Sequence, residues 1–417
     1  MGDSNFPVDI KHYLEKYAFT WHLSPSIGQD AGYTLSFNQF FWYLIPLLKI
    51  GVSLELAQAV AYTFLYYLPF LFCYLLFRRG LRIRFFPALL ASLFYVLNPF
   101  YIGQWYVPIP HNPGIFITIP LISYLLARFW DKPVELLWLS FLTFFFLAFA
   151  NANPAFTAIA FVCVFTFGAI YSLYEKSKYD WGKYGVNCLL IIASFILAGS
   201  WWLLNTVFTV SSAYGEFSGK MNLVEWLQSV SSRATLLNVI SLRFTLPFTR
   251  EHLLVTYLPF FFSSSVNLIS FIPFFLVLGA LIILCRNARK LTFWLFVFLA
   301  IAIFLTKALN PPFGNLFLFL FQKMPFFGIF KSAPEKFGIF YVFWLTLILG
   351  IATEKLEGKF KIFFLVGLGL SLLVFAYPLY TLQLVTPLEI GQFKITPFYQ
   401  EPENYRQLRE YLDSNPE

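Results

Sequence analysis

Apolar runs of nearly membrane-crossing length recur along this chain, and its ionisable residues stop at their edges. A helix needs about 20 apolar residues to cross the hydrocarbon core of a bilayer. Ten such runs are read near 57–77, 85–102, 113–128, 134–150, 155–174, 185–208, 267–285, 291–306, 337–353 and 362–380. Asp, Glu, Lys and Arg lie in the connections or within a turn of a run's end, and Lys307 comes nearest to an exception. Only 12% of residues are charged, against about 25% in soluble domains, so lipid is the solvent for most side chains. The expected fold is an all-α polytopic membrane protein of about ten transmembrane helices, with interfacial or re-entrant outer segments.

Charge then gives an orientation. If the runs alternate direction, five connections share one face: 78–84, 128–133, 174–183, 286–290 and 354–361. They hold 15 of the 29 Lys and Arg. Short cytoplasmic loops carry such an excess of basic residues, so these turns are expected in the cytoplasm. All four histidines (His12, His22, His111 and His252) then lie outside. The division that follows is an outer acidic segment with an interfacial helix (1–56), six runs (57–208), a large outer loop (209–266), four runs (267–381) interrupted by a re-entrant segment (307–336), and an outer tail (382–417) that reads as the start of a further domain.

Several function classes drop out. A net charge of +8 reflects loop bias here, because no soluble domain presents a basic patch to nucleic acid. Ion-coupled carriers usually place ionisable groups near the midplane, and these runs are dry. Cys73, Cys163, Cys188 and Cys285 form no CxxC pair and read as small apolar packing residues.

The chemistry therefore belongs to the outer segments. Residues 37–51 are apolar, short and broken by Pro46, as an interfacial helix would be. The loop 209–266 carries Arg233, Arg243 and Arg250; guanidinium suits phosphate through paired hydrogen bonds, with lipid headgroups as the plainer partner. The segment 310–340 is broken by Pro and Gly, which membrane depth tolerates where backbone lines a cavity. Lys331 and Lys336 sit at its exit. The turn NANP, with Asn151 and Asn153, shares this face with Trp105 and His111. Amides and aromatics suit sugar hydroxyls and ring faces; helix capping and an interfacial aromatic belt are the simpler alternatives.

Four stretches in this order resemble the multi-spanning GT-C glycosyltransferases, in particular the arabinofuranosyltransferase-like membrane domain and related bacterial proteins that glycosylate cell-surface polymers. They are the Gly2–Leu23 opening, ANANPAF (150–156), GSWWLL (199–204) and FKSAPEKFGIF (330–340), the last with Lys331 where the family usually has Arg. The resemblance implies transfer of a sugar from a polyprenyl-phosphate donor to a cell-envelope glycan or glycolipid, on the outer face of the plasma (inner) membrane. It places the catalytic base at Asp3, with Asp9 as the second choice. The leaving phosphate would need cations or a divalent metal ion (Mg or Mn), and Arg233, Arg243, Arg250, Lys331 and Lys336 are the cations available. Asn151, Asn153, His111 and Trp105 are the candidate sugar or acceptor contacts. A lipid or polysaccharide transporter or flippase, and a non-catalytic membrane protein of similar fold, are the competing readings.

Overall fold

The computed structural model describes residues 35–104, 110–175, 180–218, 223–245 and 263–381, with Ile10, Leu14, Trp21–His22, Gln29–Asp30, Leu388–Ile390, Phe393–Ile395, Gln407 and Tyr411 besides. Helix dominates. The described strands are two short antiparallel pairs, Trp21–His22 with Gln29–Asp30 and Leu388–Ile390 with Phe393–Ile395.

In chain order the helices are α1 (Leu35–Trp42), α2 (Ile45–Lys49), α3 (Leu54–Leu75), α4 (Phe85–Leu97), α5 (Pro99–Gln104), α6 (His111–Arg128), α7 (Pro133–Phe146), α8 (Pro154–Glu175) and α9 (Trp181–Ser218). After them come α10 (Leu223–Ser231), α11 (Leu236–Ile240), α12 (Ser264–Ile269), α13 (Ile272–Asn287), α14 (Arg289–Lys307), α15 (Gly314–Lys323), α16 (Ala333–Lys355) and α17 (Gly358–Tyr380). Local chemistry sets several boundaries. Ser53, Thr235 and Ser263 accept from the free amides at the starts of α3, α11 and α12. Pro46 opens α2 and so splits the expected interfacial helix in two. Asn98 joins α4 to α5: its Nδ2 donates to the carbonyls of Phe94 and Tyr95, and its Oδ1 accepts from the Tyr101 amide.

Among the described residues, eight helical stretches are long and apolar enough to cross a membrane: Leu56–Gly80, Phe85–Gln104, Pro154–Tyr174, Trp181–Leu204, Ser264–Arg286, Arg289–Lys307, Ala333–Lys355 and Gly358–Tyr377. The other two expected runs are helical but fall short of that standard. α6 has 18 residues with Pro120 inside. α7 has 14 and gives way to a 3₁₀ turn over Ala148–Asn151. Both pack among the spans, α6 between α3 and α8 and α7 along α9. One boundary differs more widely. α9 continues ten residues past the expected end at 208, and its 38 residues span about 57 Å. Little of that excess length fits within a hydrocarbon core of about 30 Å.

The helix at the centre is α16. Its apolar window is 94% buried, and it packs against α4, α8, α13 and α14. Two glycines permit that depth. A Cβ on Gly350 would stand 2.4 Å from Phe77, and one on Gly338 would stand 2.6 Å from Phe100 and 2.7 Å from Phe244. Trp344 fills the remaining width, stacked on Phe298 with ring centroids 4.7 Å apart.

Side-chain contacts gather the basic turns at one end of the bundle. Arg84 pairs with Glu354 at 3.2 Å. Lys183 pairs with Asp131. Lys355 lies over the Tyr174 ring at 5.1 Å, and Asn187 Nδ2 donates to the Trp130 carbonyl at 3.1 Å. The fifth turn follows Ile283, which shares a cavity wall with Leu356 and Lys359. On α16, Lys336 and Glu354 are 18 residues apart, so about 27 Å separates this basic end from the opposite one.

Candidate functional site

The end opposite the basic turns is assembled from short pieces. α1 is seated by an amide. Gln39 Nε2 donates to the Phe145 carbonyl at 2.6 Å, and its Oε1 accepts from the Phe149 amide at 3.2 Å. These are groups that the break between α7 and the 3₁₀ turn leaves without helical partners. Tyr43 OH adds a bond to the Phe146 carbonyl at 2.7 Å. Gln104 Oε1 accepts from Asn112 Nδ2 at 3.0 Å, closing α5 onto the start of α6.

The segment 307–336 begins and ends on this same side. Lys307 Nζ donates to the carbonyls of Asn310 and Pro312, gathering the turn after α14. Gly314 is required there, because a Cβ would stand 1.9 Å from the Leu309 carbonyl oxygen. Phe317 of α15 forms a ring cluster with Phe327, Phe330 and Phe337 that holds the segment over the start of α16. Phe313, Phe319 and Phe326 face outward. Lys307, the near-exception to the dry runs, is thus a turn organiser.

The start of α16 meets three other elements. Lys336 Nζ lies 3.5 Å from the centroid of the Phe156 ring, on the first turn of α8. His111, the first residue of α6, packs against the same ring at 5.5 Å and against Phe37 of α1 at 6.1 Å. Trp226 of α10 donates from Nε1 to Ser332 Oγ at 3.1 Å, and Lys331 Nζ lies 5.6 Å from the Trp226 ring centroid. Among the described residues the Lys336 ammonium has neither a hydrogen bond nor an ion pair; the charges of Glu335 and Lys331 act on it. The buried His111 Nδ1 has no hydrogen-bond partner among the described residues. Burial, with the Lys336 charge added, holds the imidazole pKa down at about 3. His111 is therefore neutral at physiological pH and can give or take a hydrogen bond.

The expected site residues divide into three groups. His111, Lys331 and Lys336 come together. Asn151, Asn153 and Arg243 serve local structure. Asn151 Nδ2 donates to the Leu147 carbonyl at 3.1 Å, and its side-chain oxygen accepts from Thr157 at 3.4 Å. Asn153 Oδ1 accepts from the Ala155 amide at 3.0 Å, so the NANP amides shape and cap the turn into α8. Arg243 donates to Ser241 at 3.3 Å and to Asn267, fixing its loop to α12. Arg233 is half-buried in the turn after α10, where its carbonyl accepts from Asn238. Asp3, Asp9, Trp105 and Arg250 lie outside the described residues. Within the described residues no three His, Cys, Asp or Glu side chains group to hold a metal ion.

Phe156, Phe37, Trp226 and Ser332 were not singled out by sequence reasoning. Phe156 and Ser332 do stand inside the ANANPAF and FKSAPEKF stretches, and Trp226 inside the segment 209–266.

Fold and site together define a multi-pass helical membrane protein with a cationic, aromatic-walled cluster at the end away from its basic turns. Compared with known proteins, the chain matches no family model, no curated protein and no solved structure.

Proposed function

We propose that this chain is a GT-C-like transferase that moves a sugar from a polyprenyl-phosphate donor to a cell-envelope glycan or glycolipid. One observation carries the reading: Lys336, whose ammonium has no hydrogen bond or ion pair among the described residues, lies over the Phe156 ring that neutral His111 also packs against, and Lys331 lies over Trp226 at the same end of the bundle, away from the basic turns. A phosphate is the natural complement of Lys336 and Lys331. The partly exposed ring of Trp226 offers a flat face to a sugar, and the exposed Phe313, Phe319 and Phe326 border the site with groups compatible with a prenyl tail.

In this scheme the runs 113–128 and 134–150, within α6 and from α7 onward, join the eight longer helices to make ten spans. The basic turns are cytoplasmic, and transfer takes place on the extracytoplasmic face of the plasma (inner) membrane. The acceptor oxygen attacks the anomeric carbon while the bond from that carbon to the phosphate oxygen breaks. Polyprenyl phosphate leaves with the bonding electrons, and Lys336 and Lys331 stabilise the charge that develops on it. The acceptor's proton passes to a carboxylate, assigned to Asp3 with Asp9 second, as the family resemblance implies. His111 orients a hydroxyl of donor or acceptor.

The test is transfer from a radiolabelled polyprenyl-phosphate sugar in membranes that contain the full chain. At unchanged protein level, Lys336→Met should lower product by about 10²–10³-fold and Asp3→Ala should abolish it. Full transfer by Lys336→Met removes the phosphate assignment, and full transfer by Asp3→Ala removes the base. Reconstituted vesicles that move the lipid-linked sugar across the bilayer without forming a glycosidic bond would make the protein a flippase instead.

A further inference from the structure

The basic end holds a second feature, unrelated to the transfer reaction. α3 ends as a π turn over Leu76–Gly80, a form that often marks functional positions. Gly80 lets this turn lie against α6, since a Cβ there would already stand 3.3 Å from Ala127 Cβ. The close approach brings Arg78 and Arg79 beside Arg128 at the end of α6. With Tyr74 and Leu75 the three arginines line an open cavity of about 410 Å³. Among the described residues no carboxylate is on its wall. Arg78 Nη1 donates to the Ile83 carbonyl at 2.6 Å, which leaves its other donors available. Arg79 and Arg128 are exposed, and neither has an ion pair or hydrogen bond among the described residues.

We infer that this cavity binds the phosphate of an anionic lipid headgroup in the leaflet at the basic end. Orienting a membrane protein requires only positive charge in its loops; it does not require three guanidinium groups converging on one cavity. Guanidinium engages phosphate with paired hydrogen bonds, and basic pockets between spans are suited to lipid headgroups. The wall itself points to a lipid over a free phosphate. Tyr74 and Leu75 belong to a membrane-crossing helix, Tyr74 stacks on Phe70, and it meets Phe85, whose neighbour Phe86 is exposed. A phosphate held by the arginines would thus have its acyl chains beside an aromatic, lipid-facing surface.

The experiment is native mass spectrometry of the full chain purified in neutral detergent with phosphatidylglycerol or phosphatidylcholine. The wild type should retain phosphatidylglycerol preferentially. Arg79→Gln with Arg128→Gln should lower retention roughly tenfold or more, the loss expected for about 1.4 kcal/mol or more of charge-assisted bonding. Arg79→Lys with Arg128→Lys keeps the charge and the exposed positions; it should lower retention several-fold through loss of paired bonding. Lys359→Gln with Lys361→Gln, a control at the same end, should retain lipid like the wild type. Wild-type retention by the double Gln variant, or an equal loss in the control, would overturn the site. Displacement of the lipid by equimolar glycerol phosphate would overturn the lipid assignment in favour of a soluble phosphate.

Discussion

α16 and α17 are consecutive helices of 23 residues each, and they occupy opposite environments. The apolar window of α16 is 94% buried; that of α17 is 28% buried, although α17 is the more hydropathic of the two. Hydropathy therefore measures compatibility with lipid and says nothing of depth within the bundle. Between helices already in lipid the driving force is packing, because hydrocarbon tails are as apolar as leucine. α16 has what packing needs: Gly338 and Gly350 at its closest approaches and Trp344 where width remains. α17 turns Phe360, Phe363, Leu370 and Leu373 outward.

Substitution at matched positions tests this contrast. Gly350→Leu should give the largest effect, loss of folded protein, since even its Cβ would overlap the buried ring of Phe77. Gly369→Leu on α17 meets nothing within 4 Å and should leave detergent-solubilised protein monodisperse by size exclusion. Equal behaviour of the two would break the comparison. Trp344→Ala comes next: Trp344 is fully buried, and truncation of such a residue costs about 3–5 kcal/mol. Leu370→Ala, at a position 56% exposed, should barely move the melting temperature read by intrinsic fluorescence.

A functional contrast follows. Lys336→Met should lower transfer by about 10²–10³-fold, the cost typical of removing one group that stabilises developing charge. Lys359→Met, at the start of α17 and at the basic end, should leave transfer unchanged. The smallest expected effect concerns pH. His111 has a folded pKa of about 3, below the usual value of about 6.5, so its neutral form stabilises the fold. That contribution is complete above about pH 6.5 and falls as pH drops towards 3. Between pH 7 and 5 the wild type should lose thermal stability faster than His111→Gln, by at most about 1.4 kcal/mol per pH unit. Parallel pH profiles would remove His111 from the buried cluster.

The runs themselves were legible because a spanning helix must satisfy its own backbone and remain free of charge, and both demands are written locally. Their rank within the bundle was not legible, because lipid and protein interior ask for the same residue types. The FKSAPEKF stretch brings Lys331 and Lys336 forward, and the fold sets them against the rings of Trp226 and Phe156. Asn151 and Asn153 are caps, and NANP ahead of an apolar run carried that reading openly. Arg243 was harder to foresee: its partner Asn267 lies 24 residues away, beyond the reach of any local pattern. The same holds for Phe37, His111 and Phe156, which only the folded chain brings into contact.

The seating of α1 by Gln39 has a consequence for how the protein is made. The amide's two partners, Phe145 and Phe149, lie 106 and 110 residues downstream. During synthesis, then, Phe40 of α1 can meet Tyr62 of α3 early, but the Gln39 amide has neither of these partners until the chain through residue 149 has reached the same side of the membrane. Its seating is a late step that reports correct insertion of everything between, and an inverted α7 would leave it undocked.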